Sequence, residues 1–308
     1  MVKAEIYMKF IKIIFGTIVI FILSSISLNA KEIIGFITGS PAGTYAEFGH
    51  NIAVTCQPLE INLYESTGSA HNVMKLMKDD DEINFGITQL DVLYVIRNLS
   101  EEHGINISNI KMVLPLYQEE IHLITKKNSG IKKLEDLKNK KVNVGPRTSG
   151  TRMTTILISN LTDIKWDESN LSIPEAFQGL MQGNLDAIFY VIGKPFPIFQ
   201  KFPKEIEEEI ELVNIKHPAL DEMYYSAKIP RRTYPWQSNT INTYSVPSIL
   251  ITNVFTSEIK VDSLTKCIVT KLNELKRKKH KKWNEVIPKN YKKIKWPIHF
   301  AAEKIIGK

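Results

Sequence analysis

The strongest constraint on the fold is a unit that recurs along the chain: a short apolar strand runs through a small polar turn into a helix. Its first copy occupies residues 36–50, FITGSPAGTYAEFGH. Gly39 and Gly43 bracket the turn. Thr44 is followed three residues later by Glu47, which is the spacing of a capping box. The pattern predicts a strand, a turn and a helix capped by Thr44.

A turn of this kind is a candidate anion site. The first four backbone N–H groups of a helix have no partner within the helix, and the helix dipole places partial positive charge beside them. Carboxylates and phosphates bind readily in that position. Because capped helix starts are common in proteins, one copy of the unit is weak evidence for a ligand.

Two later turns have the same composition. Residues 66–69 read STGS after an apolar strand, and Ser69 is the expected N-cap of the next helix. Residues 147–151 read RTSGT after the strand 141–145. The alternation of strands and helices predicts a parallel α/β sheet, in which such turns meet at the carboxyl ends of the strands. Three turns at one edge predict a single pocket for a small anion.

Several residues near these turns have two possible roles. Arg147 could hold a carboxylate through both arms of its guanidinium group, or it could be an ordinary surface arginine. Glu65 and Asp91 could receive an amino group, although helix capping is the commoner role for such residues. Phe189 and Tyr190 are neighbours on a strand, so only one of them can form an aromatic wall of the pocket.

Composition and missing motifs exclude several function classes. Apolar residues make up 43% of the chain, enough for a substantial core, and the net charge of +7 is too widely spread to indicate nucleic acid binding. The first glycine turn lacks the lysine and the spacing of a phosphate-binding loop, and no GxGxxG motif follows a strand. The seven histidines form no HExxH or similar spacing, and no GxSxG motif occurs. We therefore expect no cofactor, no metal site and no enzyme activity.

The N-terminus has the three-part form of a secretory signal peptide. Residues 1–30 contain lysines, then an apolar run over 13–26, then a small residue, Ala30, at the expected cleavage point. The run is shorter than a spanning helix needs. We expect cleavage and a periplasmic mature protein; an uncleaved anchor is the alternative.

Two further features have open alternatives. Cys267 lies on the apolar side of a predicted helix, which favours a buried free thiol; a disulfide to Cys56 is the alternative in an oxidising compartment. The basic run 276–282 at the end of that helix suits the helix dipole and a solvated surface, whereas docking to anionic lipid or a membrane partner is the sharper hypothesis.

Prolines influence two of the strand predictions. The apolar runs 110–116 and 121–125 lie around Pro115 and predict two further strands. The segment 228–247 contains three prolines, the last of them Pro247, and no clear period, so we predict that it is irregular.

The chain resembles the TAXI family of TRAP-transporter solute receptors over nearly all of its mature length. The motifs that carry the resemblance are GFITGSPAGTYAEFG, ESTGSAHNVMKL, FGITQLDVLY, HLITKKNSGIKKLEDLKNKKVNVGPRTSGT, DAIFYVIGKP and WPIHFAAEKI. They occur in this order along the chain, and they are specific in combination rather than singly.

The resemblance implies an α/β fold of the two-lobed periplasmic binding protein type II kind, with a hinge between the lobes. It implies a small organic acid as ligand, typically glutamate or 2-oxoglutarate, delivered to a TRAP-type membrane permease that uses an ion gradient. It implies no chemistry on the ligand. The first lobe would comprise residues 31–116 and 217–308, and the second lobe residues 117–216. An exported surface antigen or interaction protein with the same fold is the alternative function.

Matching the motifs residue by residue implies a set of ligand-binding residues. These are Ser40, Gly43, Thr44, Tyr45, Ser66, Gly68, Ser69, Gln89, Thr148, Ser149, Gly150, Thr151, Phe189 and Gly193, to which we add Arg147 as a candidate. The chain departs from the family pattern at Ala42, at Ala46 and at Arg147 itself. The ligand could therefore differ from that of other family members.

Overall fold

The structure is a computed structural model, and it describes residues 33–78, 82–103 and 106–307. The predicted signal peptide lies outside the described residues. Within the described part of the chain, no helix has the length and apolar character needed to cross a membrane.

The first three strands and their helices follow the predicted pattern. The strands are β1 (Ile33–Ile37), β2 (Glu60–Tyr64) and β3 (Phe85–Gln89), and the helices are α1 (Thr44–Thr55), α2 (Ser69–Leu76) and α3 (Leu90–His103). β1 pairs in parallel with both β2 and β3. The turns that follow the three strands therefore lie at one edge of the sheet.

Two long antiparallel strands continue the sheet. They are β4 (Ile110–Lys126) and β10 (Ile241–Asn253), and β10 pairs with β3 on its other side. The predictions of two strands around Pro115 and of an irregular segment reaching Pro247 are therefore wrong. Both prolines lie within the strands, and the β4–β10 register shifts between Pro247 and Ile249. Such irregularities are where a sheet tolerates a residue without an N–H group.

A second group of elements follows β4. Its strands are β5 (Lys141–Asn143), β6 (Asp167–Ser169), β7 (Ala187–Ile192), β8 (Ile210–Leu212) and β9 (Tyr225–Ile229), and its helices are α4 (Gly150–Thr162), α5 (Ile173–Met181) and α6 (Lys204–Glu207). Among the described residues the sheet has the order β2-β1-β3-β10-β4-β7-β5-β6, with β8 beside β4 and β9 beside β10. β4 and β10 thus connect the two groups, which we call the first and second lobes.

The C-terminal segment returns to the first lobe. Helices α7 (Glu258–Lys278) and α8 (Phe300–Ile306) pack with α1 and the first part of β4 through a shared apolar cluster. Between them, a 3₁₀ turn over Lys281–Glu285 buries Trp283 and Lys282. The prediction that the basic run is exposed to solvent is therefore wrong for Lys282. Arg277 and Lys278 are exposed.

The second lobe has an aromatic core of its own. Phe196 and Phe199 are fully buried there with Tyr234, whose ring lies 5.6 Å from that of Phe199. Ile229 and Ile241 belong to the same cluster. The predicted lobe boundaries remain predictions. The sequence predicts that the chain returns to the first lobe at residue 217, whereas this packing places residues 229–241 against the second lobe.

Two helix starts differ from prediction. Thr44 and Ser69 are the first residues of α1 and α2 rather than their N-caps, so the predicted capping box and serine cap are wrong. Gly43 and Gly68 occupy the cap positions, and neither helix has a side-chain hydrogen bond at its cap. Gly68 has φ of 120°, a conformation that glycine adopts at little cost. The first-turn N–H groups of both helices thus receive no acceptor from a cap side chain.

Cys56 and Cys267 form a disulfide, so the expectation of a free thiol is wrong. The bond joins the C-terminal end of α1 to the middle of α7, with a sequence separation of 211 residues. Cys56 is fully buried in the apolar cluster of the first lobe. The covalent link therefore closes a loop that contains the whole second lobe.

We predict that the disulfide contributes substantially to stability. Replacing Cys56 and Cys267 together by serine should lower the free energy of unfolding by about 2–5 kcal/mol, because the bond restricts the unfolded chain. Denaturant unfolding of the variant and of the oxidised wild type measures this loss. The reduced wild type is the control and should resemble the variant. Alkylation of unreduced, denatured protein should add no label, and two added labels would contradict the bond.

Candidate functional site

A cavity of about 380 Å³ lies where the three predicted turns meet. Residues of the turns 39–45 and 66–69 line it from the first lobe, and residues 145, 146 and 149–151 line it from the second. Strand β7 and helix α5 supply the remaining second-lobe wall. The site therefore forms at the carboxyl ends of strands, as open α/β sheets generally arrange it.

Most of the predicted ligand-binding residues lie on the cavity wall. They are Ser40, Gly43, Thr44, Tyr45, Ser66, Gly68, Ser69, Gln89, Ser149, Gly150 and Thr151. Their shared feature is a position in, or next to, a turn that leads into a helix. That they bind a ligand stays a prediction.

Four predicted residues do not line the cavity. Arg147 is exposed, and Thr148 is half-buried with its hydroxyl 2.6 Å from that of Thr67. Phe189 is fully buried in the apolar core, with its ring 5.6 Å from that of Trp166. Gly193 lies against Tyr117 instead.

The causes of these errors are geometric. A residue in the middle of a turn can face away from the pocket that the turn forms, as Arg147 does. On β7, alternation turns Phe189 away from the cavity and places Tyr190 on its wall. Of the two aromatic residues, Tyr190 is therefore the one that lines the cavity.

The starts of α2 and α4 contact each other across the cavity. The backbone N–H of His71 donates to the carbonyl oxygen of Thr148 at 3.2 Å. A Cβ atom added to Gly150 would lie 1.8 Å from Oε1 of Gln89 and 2.7 Å from Oγ of Ser69. A larger residue at this position would have to displace the side chains of Gln89 and Ser69 from the contact between the lobes.

Three helix N-termini therefore surround one cavity. The caps of α1 and α2 are glycines without a side-chain acceptor, whereas Ser149 caps α4 by accepting from the N–H of Arg152 at 3.2 Å. The hydroxyl of Thr151 accepts from the N–H of Val191 at 3.1 Å. Backbone N–H groups, more than these two hydroxyls, are thus the donors that the cavity offers to an anion.

β4 contributes two residues that the sequence reasoning missed, Tyr117 and Glu119. They are two positions apart, so they face the same side of the strand and line the cavity. Gln89 donates from Nε2 to Oε2 of Glu119 at 3.3 Å. The only available signal was an adjacent pair of carboxylates, Glu119 and Glu120, within an otherwise apolar strand.

Glu119 has an unusual electrostatic environment. Burial raises the pKa of its carboxyl to about 8, and the charge of Asp91 acts in the same direction. The hydroxyl of Tyr45 and the ammonium group of Lys282 oppose this rise only in part. Its carboxyl is therefore mostly protonated at neutral pH while the cavity holds no ligand.

The second-lobe wall of the cavity is largely apolar. Its side chains include Leu171, Ile173, Phe177, Ile188 and Ile192, together with the ring of Tyr190. The side-chain oxygen of Asn143 accepts from the N–H of Leu171 at 2.7 Å, which holds this segment in place. A bound molecule would contact polar groups of the first lobe and apolar groups of the second.

The described residues that line the cavity include no lysine, arginine or histidine. Within the same part of the chain, no cluster of histidine, cysteine, aspartate and glutamate could hold a metal ion. Glu65 is exposed and is not part of the wall. The positive ends of the helix dipoles are therefore the cationic groups that lie directly on the wall, and Lys282 acts on Glu119 from outside it.

Asp91 connects the lobes outside this cavity. Its Oδ2 accepts from the hydroxyl of Thr154 on α4 at 2.7 Å and from that of Tyr224 at 3.0 Å. Burial raises the pKa of the Asp91 carboxyl from 3.8 to about 6, although both hydroxyls oppose the rise. Asp91 therefore neither caps α3 from an N-cap position nor lines the cavity.

Asp91→Asn should change how stability depends on pH. Because the folded-state pKa of Asp91 is raised to about 6, the contribution of Asp91 to stability is most favourable below about pH 4 and is lost as pH rises through about 6. Asparagine can still accept hydrogen bonds and cannot ionise. The stability of the variant relative to the wild type should therefore rise by roughly 3 kcal/mol between pH 4 and pH 7.

Denaturant unfolding of both proteins at each pH tests this. Because the charge of Asp91 also raises the pKa of Glu119, the same pair of measurements in a Glu119→Gln background separates the two carboxyls. If the free energies of unfolding of the two proteins changed in parallel between pH 4 and pH 7, Asp91 would not ionise in this interval.

Comparison with known proteins identifies the fold. A structure described as a periplasmic transporter superposes with a TM-score of 0.57 at 12% identity, covering 90% of this chain and 97% of that one. MatC from Rhodopseudomonas palustris with bound malate gives 0.54 at 14% identity, covering 85% and 92%. Tv2483 bound to L-arginine gives 0.52 at 13% identity, covering 85% and 96%. The chain has the two-lobed periplasmic substrate-binding protein fold.

The sequence also matches one family over almost all of its described length. The match to the NMT1-like family extends over residues 36–306, from the middle of β1 to the end of α8. It includes every turn that lines the cavity. The chain belongs to the NMT1-like family.

Proposed function

We propose that the protein is the periplasmic solute-binding subunit of a transporter. It captures a small organic acid in the cavity between the lobes and delivers it to a membrane permease. The observation that carries this proposal is the cavity itself, where helix starts from both lobes converge and α2 contacts α4. Such a site suits hinge closure, because a bound ligand would contact both lobes at once.

A carboxylate is the proposed anchor of the ligand. The glycine caps of α1 and α2 leave first-turn N–H groups without a side-chain acceptor, and the dipoles of both helices favour a negative group there. The phosphate-binding lysine is absent from the first turn. A compact carboxylate fits this arrangement better than a nucleotide.

A TRAP-type permease is the proposed partner, on the strength of the sequence motifs alone. The fold is compatible with permeases driven by ATP and with permeases driven by ion gradients. Reconstituting the protein with its permease in liposomes tests this: uptake should require an ion gradient and proceed without ATP. Uptake that requires ATP would reject the TRAP assignment and leave the solute-binding role intact.

Calorimetry against a panel of small acids tests the binding role. The panel includes dicarboxylates, monocarboxylates and amino acids, and at least one member should bind with a 1:1 stoichiometry. If none of these compounds binds to the full mature protein, the proposed function is rejected.

Gly150→Ala should weaken binding without lowering the stability of the unliganded protein. Alanine stabilises a helix start relative to glycine, but its Cβ would displace the side chain of Gln89, which lines the cavity. Overpacking of this kind costs about 1–3 kcal/mol, so affinity should fall roughly tenfold.

A matched control is Gly179→Ala on α5, where the added Cβ would meet only the side chain of Leu185, at 3.2 Å. That variant should keep the wild-type affinity. Equal affinities for both glycine variants would mean that the contact at Gly150 is not needed for binding.

A further inference from the structure

The first-lobe side of the cavity has buried acceptors without donors. Oε1 of Glu119 and Oε1 of Gln89 have no hydrogen-bond partner among the described residues, although these side chains are only 3% and 1% exposed. The hydroxyl of Tyr117 on the same wall is also without a hydrogen-bond partner in this part of the chain. Buried polar atoms of this kind are normally paired, so a ligand group is expected to pair them.

The protein supplies no cation on the wall to neutralise Glu119. Lys282 lies on the other side of β4, where its Nζ donates to Oε1 of Glu120 at 3.0 Å and to the carbonyl oxygen of Gln118 at 2.7 Å. Arg147 is exposed and away from the cavity. A cation that pairs an ionised Glu119 in the cavity would therefore come from the ligand.

Away from the start of α4, the described residues of the second-lobe wall include no charged side chain for a second charge on the ligand. Leu171, Ile173, Phe177 and Ile188 face the cavity from the second lobe. An ionised group pressed against them would lose hydration without a partner, which is costly. The wall suits an aliphatic or aromatic side chain.

From these observations we propose that the ligand is an α-amino acid with an apolar side chain, whose ammonium group binds Glu119 and Gln89. This rests on the proposed function, which supplies the carboxylate anchor at the helix starts. The ammonium group has three donors, and the wall presents acceptors in Glu119 Oε1, Gln89 Oε1 and the Tyr117 hydroxyl. The side chain contacts the apolar second-lobe wall.

A dicarboxylate is the competing ligand, and it would use Glu119 in the opposite protonation state. An ammonium group requires the ionised carboxylate, whereas a second ligand carboxylate requires a protonated Glu119 that donates. Because burial raises the pKa of Glu119 to about 8, the unliganded group is mostly protonated at pH 7. The charged and titratable groups near it are Tyr45, Asp91, Tyr117, Glu120, Tyr190 and Lys282.

The two ligand classes therefore differ in proton exchange. Binding an amino acid at pH 7 should ionise Glu119 and release close to one proton, while binding a dicarboxylate should release none. Calorimetry in two buffers with different ionisation enthalpies, such as phosphate and Tris, counts the protons released.

A set of matched compounds tests which groups are recognised. L-leucine is compared with 4-methylpentanoate, which lacks the amine, with 3-methylbutylamine, which lacks the carboxylate, and with glutarate, a dicarboxylate. L-leucine should bind, and each truncated analogue should bind roughly thirtyfold more weakly or worse, because it leaves a buried polar partner unpaired. L-methionine and L-phenylalanine extend the test to other apolar side chains.

Glu119→Gln tests the assigned residue. The variant should fold, and its unfolding midpoint at pH 9 should exceed that of the wild type, because it removes a buried charge. Its affinity for L-leucine should fall roughly thirtyfold, and proton release should disappear. Glu211→Gln, on β8 away from the cavity, is the control and should leave affinity and proton release unchanged.

The outcomes separate this inference from the proposed function. Binding of glutarate without proton release, together with no binding of the apolar amino acids, would overturn the inference and leave the solute-binding role standing. Unchanged L-leucine affinity in Glu119→Gln would also overturn it. Failure of every acid and amino acid to bind would reject both.

Discussion

The buried ion pair network around Glu120 is the interaction on which the site depends. The carboxylate of Glu120 accepts from the ammonium group of Lys194, which follows β7, and from that of Lys282, in the C-terminal segment. Glu120 and Lys282 are each 2% exposed. Buried charges are stable only when they are paired and hydrogen bonded, so these contacts fix how β4 is oriented about its own axis. They also attach the second lobe, through Lys194, and the C-terminal segment, through Lys282, to the same residue of β4.

That orientation decides what the cavity contains. Consecutive residues of a strand face opposite sides, so fixing Glu120 among two lysines places Glu119 in the cavity. The chain thus keeps one carboxylate neutralised inside the protein and leaves its neighbour without a counter-ion. The same network explains why Lys282 is internal although it belongs to a basic run, and why that run has a smaller charged surface than its sequence indicates.

Local patterns in the sequence predicted the repeated strand, turn and helix of the first lobe, because apolar periodicity and small polar turns determine those elements over short distances. Contacts between distant residues were beyond those patterns. The disulfide joins Cys56 to a residue 211 positions away, and nothing near Cys267 distinguishes a bonded sulfur from a buried thiol. β4 and β10 contain prolines that argue against continuous strands, and only their mutual pairing reveals them. The turns that line the cavity were predictable. Arg147 was expected on the wall and Glu119 was not, because side-chain direction depends on tertiary packing.

The contact between α2 and α4 gives ligand binding a physical link to closure. Both helices present their N-termini to the cavity, so closing the lobes brings two partial positive charges together. The N–H of His71 donates to the carbonyl oxygen of Thr148 at 3.2 Å and holds the two helix starts together, and a carboxylate placed between them would be attracted to both. Glu119 on β4 limits the ligand further, because its carboxyl has no counter-ion on the cavity wall. A purely anionic ligand would be repelled by Glu119 unless that carboxyl stays protonated. A molecule with one negative and one positive group satisfies both conditions, and closure around it would pair every charge that the cavity contains.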